Sequence, residues 1–84
     1  MTNDQIEKFI GNLSAADDQP VKIFFKTRNT LEGIFVQAND YSELKSKNFW
    51  RIVTSMNLEN YRKSKDMSLA RMFNGAEFTK LSAK

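Results

Sequence analysis

The residues best suited to chemistry in this 84-residue chain are aromatic and basic side chains that lie close together in the sequence. A first group, within eleven positions, consists of Tyr41, Lys45, Lys47, Trp50 and Arg51, and a second group follows with Arg62, Lys63 and Lys65. Aromatic rings beside cations suit single-stranded nucleic acid, because bases stack on the rings and phosphates attract the cations. The alternative is a solvated surface, or lysines that guard an edge strand.

The chain has no cysteine and no histidine, and this removes most familiar catalytic sites. A thiol nucleophile, a thiolate metal site and a disulfide all need Cys, and an imidazole base needs His. The three glycines, Gly11, Gly33 and Gly75, are too scattered to form a loop that cradles phosphate. We therefore predict a protein that is not an enzyme and has no cofactor and no metal.

The net charge of +3 is unevenly distributed along the chain. Residues 1–20 carry a net charge of −3, and residues 21–84 carry +6. A basic domain favours polyanions, because neutralised phosphates release their counterions, although such a charge also keeps an ordinary domain soluble. Neither a membrane span nor a signal peptide is indicated, so we predict a cytoplasmic protein without membrane contact.

The length suits a single domain over residues 1–84, beginning with a helix over 1–14 and a loop over 15–20. Thr2 and Gln5 have the spacing of a capping box at the start of a helix. The apolar stripe of that helix has the spacing i, i+3, i+4, i+7 and consists of Ile6, Phe9, Ile10 and Leu13. We expect the stripe to cap an open end of the core, with partner binding as the alternative.

Residues 21–84 are predicted to form a β-body of five strands. Alternating or β-rich runs place the strands at Val21–Lys26, Leu31–Ala38, Phe49–Thr54, Met67–Phe73 and Ala76–Leu81. Gly33 within the second strand indicates a bulge, a bend or a close backbone approach. In the third strand we expect Phe49 to face the core, which leaves Trp50 on the other side.

The connections between these strands are predicted from their turn residues and polarity. Asn39–Asn48 is predicted to be a polar loop, and Ser55–Asp66 is either a long loop or an extension of the neighbouring strands. Asn74-Gly75 between two β-runs predicts a tight hairpin. The fold class is thus mainly β: a small, strongly bent, five-stranded SH3-like barrel in up-and-down order, with an N-terminal α-helix.

Four segments of the chain resemble the Sm-like fold, which includes the bacterial Hfq proteins. Val21–Phe25, Leu31–Phe35 with its L-x-G turn, and Asn39-Asp40-Tyr41 resemble the first Sm motif, and Met72–Phe78 resembles the second more loosely. The resemblance follows the order of elements over most of the chain. It departs from the family in the second motif, which lacks Arg-Gly, and in the absence of the Lys-His pair of Hfq.

The resemblance implies a homo-oligomeric ring joined through the edge strands and a site for single-stranded RNA. Tyr41 would match the first binding loop as a stacking residue, and Asn74 would match the second. Because a fold can be shared without its binding site, a non-enzymatic protein-interaction or assembly module remains the alternative function.

Overall fold

The computed structural model describes residues 1–12 and 20–83; Leu13 of the predicted stripe and most of the predicted loop over 15–20 lie outside the described residues. The helices are α1 (Asn3–Gly11), α2 (Tyr41–Ser46) and α3 (Ser55–Ser64). The strands are β1 (Val21–Phe25), β2 (Leu31–Val36), β3 (Phe49–Thr54), β4 (Arg71–Asn74) and β5 (Phe78–Ala83). Short 3-10 turns at Met67–Leu69 and Gly75–Glu77 precede and follow β4.

The start of α1 follows the sequence prediction closely. The Thr2 hydroxyl accepts the Gln5 N–H at 3.3 Å, and the Gln5 side chain accepts the Thr2 N–H at 3.0 Å, which completes the capping box. Ile6 is fully buried, and Phe9 and Ile10 pack against the same core. The expected role of this helix, capping the core, is therefore confirmed.

The five strands form one antiparallel sheet in the order β4-β3-β2-β1-β5. The predicted up-and-down order is right for β1 to β4 and wrong for β5, which pairs with β1 through Ile23 and Leu81. The predicted Asn74-Gly75 hairpin is also wrong, because β4 and β5 lie at opposite edges of the sheet. A 3-10 turn joins them instead, and Gly75 in that turn does not have a positive φ.

Gly33 marks a close approach between β2 and β3, one of the three possibilities predicted for it. A Cβ at this position would lie 2.5 Å from the Val53 carbonyl oxygen and 3.0 Å from the Thr54 Cα. Both of those atoms are backbone, so they cannot rotate away as the end of a side chain could. Only glycine lets the two strands approach to this separation.

The main core lies on one face of the sheet, under α1. Its largest buried side chains include Trp50, Phe78, Ile6, Ile23 and Ile52. The Phe25 and Phe73 ring centroids are 5.8 Å apart, although their strands, β1 and β4, are not neighbours in the sheet. The sheet must therefore curve to bring these rings together over the core.

A second, smaller core lies on the opposite face, between β2–β3 and α3. Ile34, Val36 and Val53 point away from the main core by strand alternation, and Leu58 of α3 covers them. The interpretation of Ser55–Asp66 as a loop or extended strand is thus wrong. The region is helical because β2 and β3 are apolar on both faces and need a cover on each.

The predicted polar loop over Asn39–Asn48 is also wrong, because it contains α2. This helix has only six residues, of which Tyr41 and Leu44 are half-buried. The body from residue 21 onward therefore combines the predicted five strands with two helices. In the described part of the chain, every helix is too short or too polar to cross a membrane.

Candidate functional site

The predicted cations around α2 all have acidic partners. The Lys45 Nζ lies 3.1 Å from Glu7 Oε1, and the Lys47 Nζ lies 3.5 Å from Glu43 Oε1. Arg51 Nη2 donates to Asp40 Oδ2 at 2.6 Å, while its Nε donates to Oδ1 at 3.4 Å. Three cations therefore face three carboxylates. We call Lys45, Lys47 and Arg51 the α2 cluster; its local charge is balanced.

The pair between Arg51 and Asp40 is the best formed of these. The Arg51 hydrogen bond holds the pKa of the Asp40 carboxyl below its ordinary value, and the same bond raises the pKa of Arg51. Two donors of one guanidinium meet two oxygens of one carboxylate, a geometry that is stronger than a single ion pair. A phosphate at Arg51 would have to displace Asp40.

The two predicted aromatic residues near α2 belong to the core rather than to an open stacking surface. Trp50 is only 2% exposed, and its Nε1 donates to Asn48 Oδ1 at 2.8 Å. The expectation that Phe49 takes the core side is therefore wrong, and Trp50 is removed from any base-stacking surface. Tyr41 is half-buried edge-on against Trp50, with ring centroids 6.1 Å apart, and its burial raises the pKa of its phenol.

The second predicted group lies at the end of α3 and is separate from the first. Lys63 pairs with Glu59 at 3.5 Å, and the Lys65 Nζ lies 5.4 Å from the centre of the Tyr61 ring. Arg62 is exposed on the same turn. Tyr61 packs against the second core, whereas Tyr41 packs against the main core on the other face of the sheet. The structure therefore divides the predicted site into two parts.

Asn74, the remaining residue of the predicted nucleic-acid site, caps the turn between β4 and β5. Its Oδ1 accepts the Ala76 N–H at 2.9 Å and so caps the 3-10 turn. The Met1 α-ammonium docks beside this turn, donating to the carbonyls of Gly75 at 3.0 Å and Phe78 at 2.7 Å. Its pKa is lowered by burial and then by the charge of Lys26, which places another cation near this end of the sheet.

A different set of cations lies outside the four ion pairs found among the described residues. Four of the exposed cations outside those pairs lie around the end of β1: Lys26, Arg28, Arg71 and Lys80. Glu77 is at the same end, where its backbone carbonyl accepts the Lys26 N–H at 3.0 Å. Among the described residues these four cations lie outside the ion pairs, whereas each cation of the α2 cluster is paired with a carboxylate.

Three of these four cations lie beside aromatic rings. On the outer face of the sheet, the Lys80 Nζ lies 5.7 Å from the centre of the half-buried Phe24 ring, across the β1–β5 pair. At the end of β1, the Arg28 guanidinium lies 5.2 Å from the Phe25 ring centre. We call Phe24, Lys26, Arg28, Arg71 and Lys80 the cationic face; it surrounds the end of β1, with Phe24 and Lys80 on the outer side of the sheet and Arg28 and Arg71 beside rings of the main core.

Arg28 and Arg71 share one ring, that of Phe73. Their guanidinium carbons lie 5.7 Å and 5.6 Å from its centroid. Phe73 is buried, so the ring is a fixed platform for two exposed arginines from different parts of the chain. Stacking restricts each guanidinium while leaving its N–H donors accessible, and these donors match phosphate oxygens.

From the sequence, Phe24 could stack on a base or pack under the N-terminal helix, and packing is the preferred interpretation; the structure places its ring beside Lys80 and outside the main core. The rest of the cationic face was missed. Phe24 lies between Lys22 and Lys26 on an alternating strand, which puts all three on the side away from the main core. Arg71 could not be linked to Arg28, because the curvature that brings β4 to the end of β1 is not visible in local patterns.

In the described residues, no group of three or more His, Cys, Asp or Glu side chains is arranged to hold a metal ion. Comparison of the chain with protein-family models, with curated proteins and with solved structures finds no match. The functional conclusion therefore depends on the geometry and charge of the chain itself.

Proposed function

We propose that this chain is an Sm-like β-barrel module that binds single-stranded nucleic acid, RNA in particular, through its cationic face. The observation that carries the proposal is the contrast between two sets of cations. Those of the α2 cluster are neutralised by carboxylates at 2.6–3.5 Å, whereas Arg28, Arg71 and Lys80 lie beside aromatic rings and outside the ion pairs of the described residues.

Cations that lie outside ion pairs can bind phosphate without first losing a carboxylate partner. A cation that is already paired must break its ion pair before it contacts a phosphate, which offsets much of the gain. Lys26, Arg28, Arg71 and Lys80 have no such competition from the described ion pairs. Each can release a counterion from the nucleic acid, which is the main source of affinity in such complexes.

The aromatic rings support a single-stranded rather than a double-stranded ligand. Four of the six cation–π contacts among the described residues lie on the cationic face and involve Arg28, Arg71 and Lys80. Phe24 is half-exposed next to Lys80, so a base can stack on its ring while the lysine meets the phosphate. An unpaired strand exposes bases for this; a duplex does not.

The barrel and the oligomer belong to the same proposal. The strand order and the contact of Phe25 with Phe73 support a sheet that curls toward closure. In the described sheet β4 and β5 are the two edge strands, and pairing of these edges between copies would give the ring implied by the Sm resemblance. We place the protein in the cytoplasm. Light scattering in solution tests the oligomer: a monomer at all concentrations contradicts it.

Fluorescence anisotropy with a labelled 12-nucleotide RNA tests the binding proposal. If the four cations of the cationic face contact phosphates, the slope of log K against log salt is about −3, at roughly −0.7 per contact. A 12-base-pair RNA duplex is the control and is expected to bind more weakly. Failure to bind any single strand at low salt overturns the proposal.

The Phe24→Ala variant tests stacking separately from charge. It removes a ring that is half-exposed and outside both buried cores, so the fold is expected to persist. The loss of one stacked base weakens binding by about 1–3 kcal/mol and leaves the salt slope unchanged. Unchanged affinity contradicts stacking at this position.

A further inference from the structure

The Asn74-Gly75 pair between β4 and β5 carries a chemistry that has no part in nucleic-acid binding. Asn74 is the only asparagine of the chain that is followed by glycine. In such a pair the glycine nitrogen can attack the side-chain amide of the asparagine, because glycine has no side chain to obstruct the approach. Whether the attack takes place depends on how the fold holds the two groups.

The reaction is deamidation, and water is its only co-reactant. The Gly75 nitrogen bonds to Cγ of Asn74 while the bond from Cγ to Nδ2 breaks, and Nδ2 leaves as ammonia with the proton that the Gly75 nitrogen gave up. The product is a succinimide ring that includes the Gly75 nitrogen. Water then opens this ring at either of its carbonyls, which leaves aspartate or isoaspartate at position 74.

The fold first restrains the attacking nitrogen. The Gly75 N–H donates to the Asn48 carbonyl at 2.8 Å, and Gly75 is buried. The nitrogen must lose its proton to solvent before it can bond to Cγ, so this hydrogen bond has to open. A buried amide in a hydrogen bond reaches solvent only when the surrounding structure opens.

The backbone of Asn74 also keeps the two reacting atoms apart. Ring closure requires the Gly75 nitrogen to eclipse Cβ of Asn74 about the Cα–C bond. The ψ angle of Asn74 is 118°, at which this nitrogen instead lies close to the Cα hydrogen of an L-residue. Rotation about that bond would swing Gly75 away from the Asn48 carbonyl and out of the turn.

The side chain of Asn74 is restrained as well, although it is exposed. Its Oδ1 accepts the Ala76 N–H at 2.9 Å, which caps the 3-10 turn. Gly75 has little room to move toward it, because Asn48 and the Trp50 indole crowd the place where a Cβ of Gly75 would be. The nitrogen, the backbone and the amide are therefore all held in an arrangement from which the ring cannot close.

We propose that Asn74-Gly75 is a deamidation site that is protected in the folded protein and reacts when the turn between β4 and β5 opens. Modification at Asn74 then marks, irreversibly, a molecule that has opened. Aspartate at this position keeps an oxygen that can accept the Ala76 N–H. Isoaspartate adds one carbon to the backbone between two restrained residues, so a molecule that contains it cannot restore the turn.

Mass spectrometry of aged protein tests the protection. The chain is incubated in mildly alkaline buffer with and without urea, and a synthetic peptide of residues 71–79 reports the rate of the unrestrained pair in each buffer. In urea, Asn74 is expected to react as fast as the peptide. In native buffer it is expected to react slower than the peptide by about tenfold or more, because only open molecules react. Equal rates in the native protein and the peptide overturn the proposal.

Amide hydrogen exchange tests the cause of the protection. The Gly75 amide is expected to exchange slowly in the native protein, because exchange and deamidation both require its hydrogen bond to Asn48 to open. Deamidation also requires the rotation of Asn74, so it should be slowed at least as much as exchange is. Deamidation that is slowed less than exchange would mean attack from the closed turn and would overturn the proposal.

Two variants and one aged product complete the test. Asn74→Gln keeps an amide but closes a larger ring far more slowly, so the mass change in urea is expected to disappear. Asn74→Asp is expected to unfold at about the urea concentration of the parent, since its carboxylate can cap the same turn. The isoaspartate form, separated by chromatography, is expected to have lost the parent's Trp50 unfolding transition; a parent-like transition would contradict the restrained turn.

Discussion

Replacing Gly33 by alanine tests how closely β2 and β3 approach each other. The added Cβ would lie 2.5 Å from the Val53 carbonyl oxygen, 2.9 Å from the Ile52 Cγ2 and 3.0 Å from the Thr54 Cα. Two of these atoms are backbone in a paired strand, so relief requires the strands to separate. Overpacking a core costs about 1–3 kcal/mol, and a backbone collision belongs at the upper end, at about 3 kcal/mol.

Gly11→Ala is the matched control for this substitution. A Cβ at Gly11 meets nothing within 4 Å, and the residue lies in the last turn of α1. Alanine there is expected to stabilise the fold by about 0.5–1 kcal/mol, because it restricts the unfolded chain and favours the helix. The same chemical change therefore has opposite expected signs at the two positions.

Urea unfolding followed by the fluorescence of Trp50 measures both effects. Trp50 is the only tryptophan and is 2% exposed, so its emission changes strongly on unfolding. With a typical urea dependence of 1–3 kcal/mol per molar, the Gly33→Ala midpoint falls by about 2 M and the Gly11→Ala midpoint rises slightly. A Gly33→Ala midpoint equal to that of the parent would refute the close approach.

Three further predictions concern the Arg51–Asp40 pair, the second core and the hydrogen bond of Trp50. The hydrogen bond from Arg51 lowers the pKa of Asp40. The ion pair therefore stabilises the fold above the ordinary carboxyl pKa, and this stabilisation is lost as pH falls through the pKa of Asp40 in the folded protein. Asp40→Asn should flatten the acid side of a plot of the unfolding midpoint against pH. Leu58→Ala should lower stability by about 2–5 kcal/mol in urea unfolding, because it opens the second core; a smaller change than 1 kcal/mol contradicts the packing of α3. Asn48→Gly keeps the positive φ of that residue but removes the acceptor of the Trp50 N–H and the donor to the Met1 carbonyl. A loss of about 1–3 kcal/mol is expected, and an unchanged midpoint would show that both hydrogen bonds are dispensable.

The features that could be predicted from sequence are those with a local cause. The capping box of Thr2 and Gln5 and the alternation in Val21–Phe25 each depend on residues a few positions apart, and both are present in the structure. Gly33 was also informative, because a glycine within a strand has few explanations.

Asn74-Gly75 shows why a strong local signal can mislead. The pair favours a hairpin when glycine is needed for a positive φ, and Gly75 does not have one. It is glycine because Asn48, Ile6 and the Trp50 indole crowd the place where a Cβ would be. That crowding comes from distant parts of the chain, so no local pattern reveals it.

The helices α2 and α3 were missed because their apolar residues are few. In α3, only Leu58 is buried, and its cover of Ile34 and Val53 is what stabilises the helix. The useful signal lay in β2 and β3, which have apolar residues on both faces and therefore need packing on both sides. Composition alone could not show that the predicted cations near α2 have carboxylate partners, which is why we propose the cationic face as the site instead.

The most direct test of the central claim compares RNA affinity in two triple variants of equal charge. One replaces Arg28, Arg71 and Lys80 of the cationic face by glutamine, and the other does the same to the three cations of the α2 cluster. Both lose three positive charges, so any difference reflects local contacts rather than net charge. Removing three phosphate contacts should reduce the salt slope by about 2 in the first variant, with a large loss of affinity, and leave the slope of the second near that of the parent. Equal losses in the two variants, or a larger loss in the second, would contradict the assignment of the interface to the cationic face.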